Sequence, residues 1–163
     1  MSLFENEQYQ WRETCFVLFE ASHRPQADDL VGVLMDLGKG VEVSDVRADA
    51  DGFFESLTIV SHDDYAAMDI SYVAGEEVQE QVEELAKELS PLIESADEKR
   101  ALAMLPECSA RLDVYHFERN VQSAAAGAEE PDLMDPGALL SVMERLANLC
   151  EGVAVDPQAG FLT

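Results

Sequence analysis

A chain of 163 residues, 47% of them hydrophobic, can bury a proper core, and its length suits a single compact domain spanning 1–163. Its 34 acidic and 10 basic residues leave a formal net charge of −24, on a chain too apolar to be an acidic disordered segment. Such a surface repels phosphates and anionic headgroups, which excludes nucleic acid and membrane surfaces as partners; its plain role is colloidal solubility, and a basic protein, divalent cations or a polyamine are the partners it could attract.

The opening MSLFENEQYQWRETC has no basic region followed by an apolar run, so it does not read as a secretion signal. No apolar stretch is long enough to span a bilayer. Cys15, Cys108 and Cys150 are odd in number and widely spaced, which fits reduced thiols and a cytoplasmic setting. Tyr9 and Trp11 read as an arm before the first strand, anchored on the domain or on a second subunit.

CFVLFEA, residues 15–21, is a continuous apolar run suited to a strand buried on both faces. Pro25, Asp28 and Asp29 then open a helix whose stripe is Leu30, Val33, Leu34 and Leu37, ended by Gly38 and Gly40. VEVSDVRA and FFESLTIV read as a hairpin, and AAMDISYVA as a third, half-exposed strand. From Glu76 the period changes to that of a long amphipathic helix over 76–93, with Val78, Val82, Leu85, Leu89 and Leu92 on its stripe and glutamates elsewhere. DEKRALAML suggests a short further helix, and ARLDVYHF a strand. The tract from 123 to 137 reads as a loop, and Pro136 starts a last helix with Leu139, Val142, Met143 and Leu146 as its stripe. GVAVDPQAGFLT then reads as a terminal hairpin.

DLVGVLMDLGKGVEV echoes ALLSVMERLANLCEGVAV, with Leu30, Val33, Leu34 and Leu37 matching Leu139, Val142, Met143 and Leu146. The echo suggests a pseudo-repeat, 14–60 and 110–163, joined by the long helix. The expected class is therefore α+β: a mainly antiparallel sheet with helices on one face, built of two βαββ-like halves. That layout resembles ferredoxin-like folds, including small regulatory ligand-binding domains of the ACT type, at the level of topology alone. DDYAAMDISYVAGEEVQEQVEELAKEL and the ending GVAVDPQAGFLT also resemble segments of small, acidic, uncharacterised bacterial proteins, a likeness that implies a bacterial cytosolic origin and no activity.

VRADADGFFES spaces Asp49 and Asp51 ahead of Gly52 as a calcium loop would. If Gly52 is the sixth position, however, the first is Arg47 and the twelfth is Thr58, where such a loop needs oxygen ligands and a closing carboxylate. Asp49 and Asp51 are thus weak metal candidates, and a polar hairpin turn is the better reading. His62 with Asp63 and Asp64 is the best local cluster for a metal or general base, and His116, on a strand face with Leu112 and Val114, could join it. Cys15 and Cys150 read as packed hydrophobes, and Cys108, in LPECSA, as an exposed thiol. No phosphate-cradling glycine motif and no nucleophile elbow occurs, and no cofactor is implied.

These features favour a non-enzymatic module for protein association or small-ligand sensing, as a homodimer. The alternatives are a metal-dependent or hydrolytic enzyme using His62 with Asp63 or Asp64, and an acidic decoy or immunity-type protein that covers a basic partner.

Overall fold

The computed structural model describes residues 9–38, 40–61, 66–119, 137–157 and 160–161. Among them the strands are β1 (Tyr9–Phe19), β2 (Val41–Ala48), β3 (Phe54–Ser61), β4 (Ala66–Ala74), β5 (Ala110–Arg119), β6 (Val153–Asp156) and β7 (Gly160–Phe161). The helices are α1 (Ala27–Met35), α2 (Glu76–Leu89), α3 (Ala96–Met104) and α4 (Gly137–Cys150). β1 starts earlier than the apolar run: Tyr9 and Trp11 belong to the strand, paired with Arg119 and Phe117 of β5, and form no separate arm.

The strands form one seven-stranded sheet in the order β2-β3-β4-β5-β1-β6-β7, with every neighbouring pair antiparallel. The α+β class and the antiparallel sheet are as expected. β5, α4 and β6 make a split βαβ unit with β1 lying between its two strands. In the first half β1 and β2 are instead separated by β3, β4 and β5, because β4 inserts beside β5. The echoed strands β2 and β6 also sit differently: β2 is the outer strand of its hairpin and β6 the inner.

The expectation of helices on one face needs correction, since they cover both. Cys15, Val17 and Phe19 point to one face, where Leu30 and Leu34 of α1 and Leu139, Val142, Met143 and Leu146 of α4 pack on them. Leu18 points to the other, where it meets Val78, Val82, Leu85 and Leu89 of α2 and Ala101 of α3. The cause lies in β1 itself: a strand apolar at consecutive positions exposes hydrophobic surface on both sides of the pleat, and each side must be covered. Burying each large aliphatic side chain of α2 contributes roughly 1.5–3 kcal/mol, so that stripe outweighs the repulsion among its exposed glutamates.

Local signals set the element ends. Ser95 accepts from the Glu98 backbone N–H while Glu98 reaches back to the Ser95 N–H, a capping box that starts α3. The helical stripe expected to reach residue 93 stops at Leu89, and a single tighter turn, Ser90–Leu92, carries Pro91 and leaves Leu92 exposed. Gly152 follows α4 where a Cβ would lie 2.4 Å from the Leu18 carbonyl oxygen, so the chain can enter β6 against β1 only without a side chain.

Candidate functional site

The acidic turn between β2 and β3 is held by its own backbone, where Gly52 N–H donates to the Asp49 carbonyl at 3.0 Å, by a bond from Ala27 N–H to the Gly52 carbonyl at 2.9 Å, and by the side chains of Asp49 and Arg24. Asp49 Oδ1 accepts from the backbone N–H of Asp51 at 2.9 Å and of Phe53 at 3.0 Å. Its Oδ2 lies 3.2 Å from Arg24 Nη1. Gly52 takes a φ of +87°, which the turn requires. Both Asp49 oxygens are thus engaged as an Asx-type turn would engage them, and Asp51 is exposed. Arg24 is itself fixed: Nε and Nη2 donate to the Phe54 carbonyl at 3.1 and 2.9 Å, and the guanidinium stacks 4.1 Å from the Tyr72 ring centroid.

His62, Asp63 and Asp64 lie outside the described residues. His116 lies on the α1/α4 face, paired with Met68 of β4 and Glu13 of β1. Its buried Nδ1 has no hydrogen-bond partner among the described residues, and Glu13 Oε1 stands 3.8 Å away, beyond hydrogen-bond reach. Burial, with the Arg12 guanidinium nearby, pushes the imidazole down to about 4, so it is neutral near pH 7. His23, just past the far end of β1, faces Glu20 and Glu151 at 3.9 and 3.7 Å. Since β1 rises about 3.3 Å per residue, His23 and His116 are separated by roughly 20 Å and share no cleft. Among the described residues no group of three or more His, Cys, Asp or Glu side chains is placed to hold a metal.

Cys15 and Cys150 are buried in the α1/α4 core, as expected. The expectation for Cys108 fails, because its thiol is only 4% exposed and donates to the Met104 carbonyl at 3.4 Å. The single turn Leu105–Glu107 folds it back under α2, a placement that its polar neighbours Glu107 and Ser109 disguise.

A cleft of about 270 Å³ opens between the end of α1, the start of α4 and the sheet. Leu37, Val41, Ile59, Met68 and Val142 give it apolar walls, and Ser61 and Ser141 add hydroxyls. Leu37 lies just beyond the end of α1 and Val142 in α4, so the cleft opens over β2, β3 and β4. At roughly 30 Å³ per water, the space equals about nine waters, enough for a small molecule.

The chain matches no protein-family model, no curated protein and no solved structure.

The opposite face holds a buried polar group that the sequence reading passed over. Asp113 is 4% exposed and lies between Phe16 of β1 and Ser71 of β4. Arg111 Nε donates to its Oδ1 at 2.7 Å, and Arg111 Nη1 donates to Gln81 Oε1 of α2 at 2.5 Å. The Tyr115 hydroxyl donates to Oδ2 at a long 3.4 Å. Burial raises the Asp113 carboxyl above its ordinary value, and the bond and charge of Arg111 offset only part of that. The alternation in ARLDVYHF was a usable signal, since it puts Arg111, Asp113 and Tyr115 on one face. The cleft left no such trace, because its residues come from five separate segments.

Proposed function

We propose that the protein is a non-enzymatic binding module that takes a small, largely apolar molecule into the cleft between α1, α4 and the sheet. The observation that carries this reading is the cleft itself: apolar walls, two hydroxyls and a volume of about 270 Å³. The net charge of −24 makes an anionic ligand the least favoured, so the occupant is neutral or cationic. Three buried thiols, none of them in a disulfide, fit a reducing, cytoplasmic setting.

The test uses isobutanol and isobutylamine as probes and the methyl signals of Ile59, Met68 and Val142 as reporters. Both probes are expected to shift those signals in the wild type. Ser141 is exposed and lines the cleft, so Ser141→Trp fills the space without disturbing the core and should abolish the shifts. Unchanged signals in the wild type would sink the reading.

A second reading, association with a basic protein, draws support from α2, where Glu76, Glu77, Glu80, Glu83, Glu84 and Glu88 are all exposed. Its signature is an affinity for a poly-lysine probe that is lost as salt is raised and is reduced when these glutamates become glutamine.

A further inference from the structure

We propose that the docking of α2 onto the sheet is linked to a proton on Asp113: α2 seats most firmly when Asp113 is protonated and loosens as that carboxyl ionises. The geometry begins with the hydrogen-bond count. An ionised carboxylate offers about four acceptor positions, and burial away from water makes each unfilled one costly. Asp113 receives one short bond, from Arg111 Nε at 2.7 Å, and one long one, from Tyr115 at 3.4 Å. A protonated carboxyl needs fewer acceptor contacts and carries no charge to desolvate.

The groups facing Asp113 from the packed elements do little to restore the balance. From its own strand come Arg111 and Tyr115, and from β1 and β4 the uncharged Phe16 and Ser71 stand opposite. α2 contributes the neutral Gln81, bonded to Arg111, and the carboxylate of Glu77, whose charge opposes ionisation of Asp113. Among the described residues the one cation bonded to Asp113, Arg111, is shared with Gln81, and α2 adds a like charge where a donor would help. Lifting α2 frees Asp113 to meet water and removes Glu77. The detached state thus prefers the ionised carboxyl more strongly than the docked state does, and by linkage each state favours its own protonation form. The upward displacement of the Asp113 carboxyl in the folded protein has the same sign.

The experiment is amide hydrogen exchange across α2 in the full chain between pH 4 and 8, corrected for intrinsic exchange. The protection of the Val78, Val82 and Leu85 amides relative to core amides of β5 should fall as pH rises through the Asp113 titration, which carboxyl carbon NMR follows directly. Asp113→Asn keeps the shape, removes the titration, and should hold α2 protection constant across the range. Glu77→Gln should retain the titration while moving it to lower pH. Protection of α2 that is independent of pH in the wild type overturns the proposal, as does a fall that Asp113→Asn preserves. If Asp113→Asn fails to fold, the wild type decides alone: α2 protection that stays level while the carboxyl carbon signal of Asp113 titrates overturns the proposal.

Discussion

Arg24 Nη1 and Asp49 Oδ2 stand 3.2 Å apart, and this pair ties the segment entering α1 to the turn between β2 and β3. The contact joins residues far apart in sequence, so an acidic tip that looks like a loop for cations serves as a clasp. Asp49→Ala removes an acceptor from two backbone N–H groups and a partner from Arg24, and should lower stability by about 2 kcal/mol in urea unfolding. Asp49→Asn keeps Oδ1 and should cost less. Millimolar calcium should leave the melting temperature of the wild type unchanged; a rise that Asp49→Ala abolishes would reinstate a metal role.

His116 gives a pH dependence of opposite origin to an ordinary surface histidine. The unfolded chain takes up its proton near 6.5, whereas the folded one resists until about 4. The stability it confers is therefore full above pH 6.5 and is lost as pH falls through about 4. The loss amounts to about 3 kcal/mol for a displacement from 6.5 to about 4. Unfolding midpoints measured from pH 4 to 7 should show this slope in the wild type and a flatter one in His116→Gln. Equal slopes would mean that His116 is solvated.

The three thiols should be inert in the native protein. Burial pushes Cys15 and Cys150 up to about 12, with Asp156 and Glu13 adding to the effect at Cys15. Burial, helped by Glu20 and Glu107, pushes Cys108 up to about 11. An aromatic disulfide reagent at pH 8 should label none of them before urea is added and all three afterwards. Fast labelling of Cys108 alone would show that the turn after α3 opens.

Two glycines should respond in opposite directions. Gly152→Ala drives a Cβ to 2.4 Å from the Leu18 carbonyl oxygen and should destabilise by about 1–3 kcal/mol. Gly32, inside α1, has nothing within 4 Å of such a Cβ, and Gly32→Ala should stabilise by about 0.4–1 kcal/mol. Chemical denaturation of both variants tests the pair.

The sequence carried the elements better than their arrangement. The stripes of Leu30 and Leu34, of Val78 to Leu89, and of Leu139 to Leu146 were legible because a helix repeats its apolar face at fixed spacing. Consecutive burial of Val17, Leu18 and Phe19 already implied cover on both sides of the sheet, yet the echo between the halves suggested one side. Strand order was not legible, since pairing depends on partners nearly a chain-length apart: Val17 meets Leu112 and Ala154. The same holds for the site. Arg24 reaches Phe54 and Asp49, and the cleft assembles Leu37, Ile59, Met68 and Val142, relations that no local pattern encodes.

The position of β1 between β5 and β6 bears on how the chain is made. Its neighbours on both sides begin at Ala110 and Val153. At about 5–20 residues per second, a ribosome takes roughly 5–18 s to add the approximately 90 residues between Phe19 and Ala110. For that interval the apolar end of β1, Cys15 to Phe19, has neither of its strand neighbours to pair with, while β2, β3 and β4 can already form a meander. Chaperone capture during synthesis would then centre on Cys15 to Phe19, and the sheet would close in a late, long-range step.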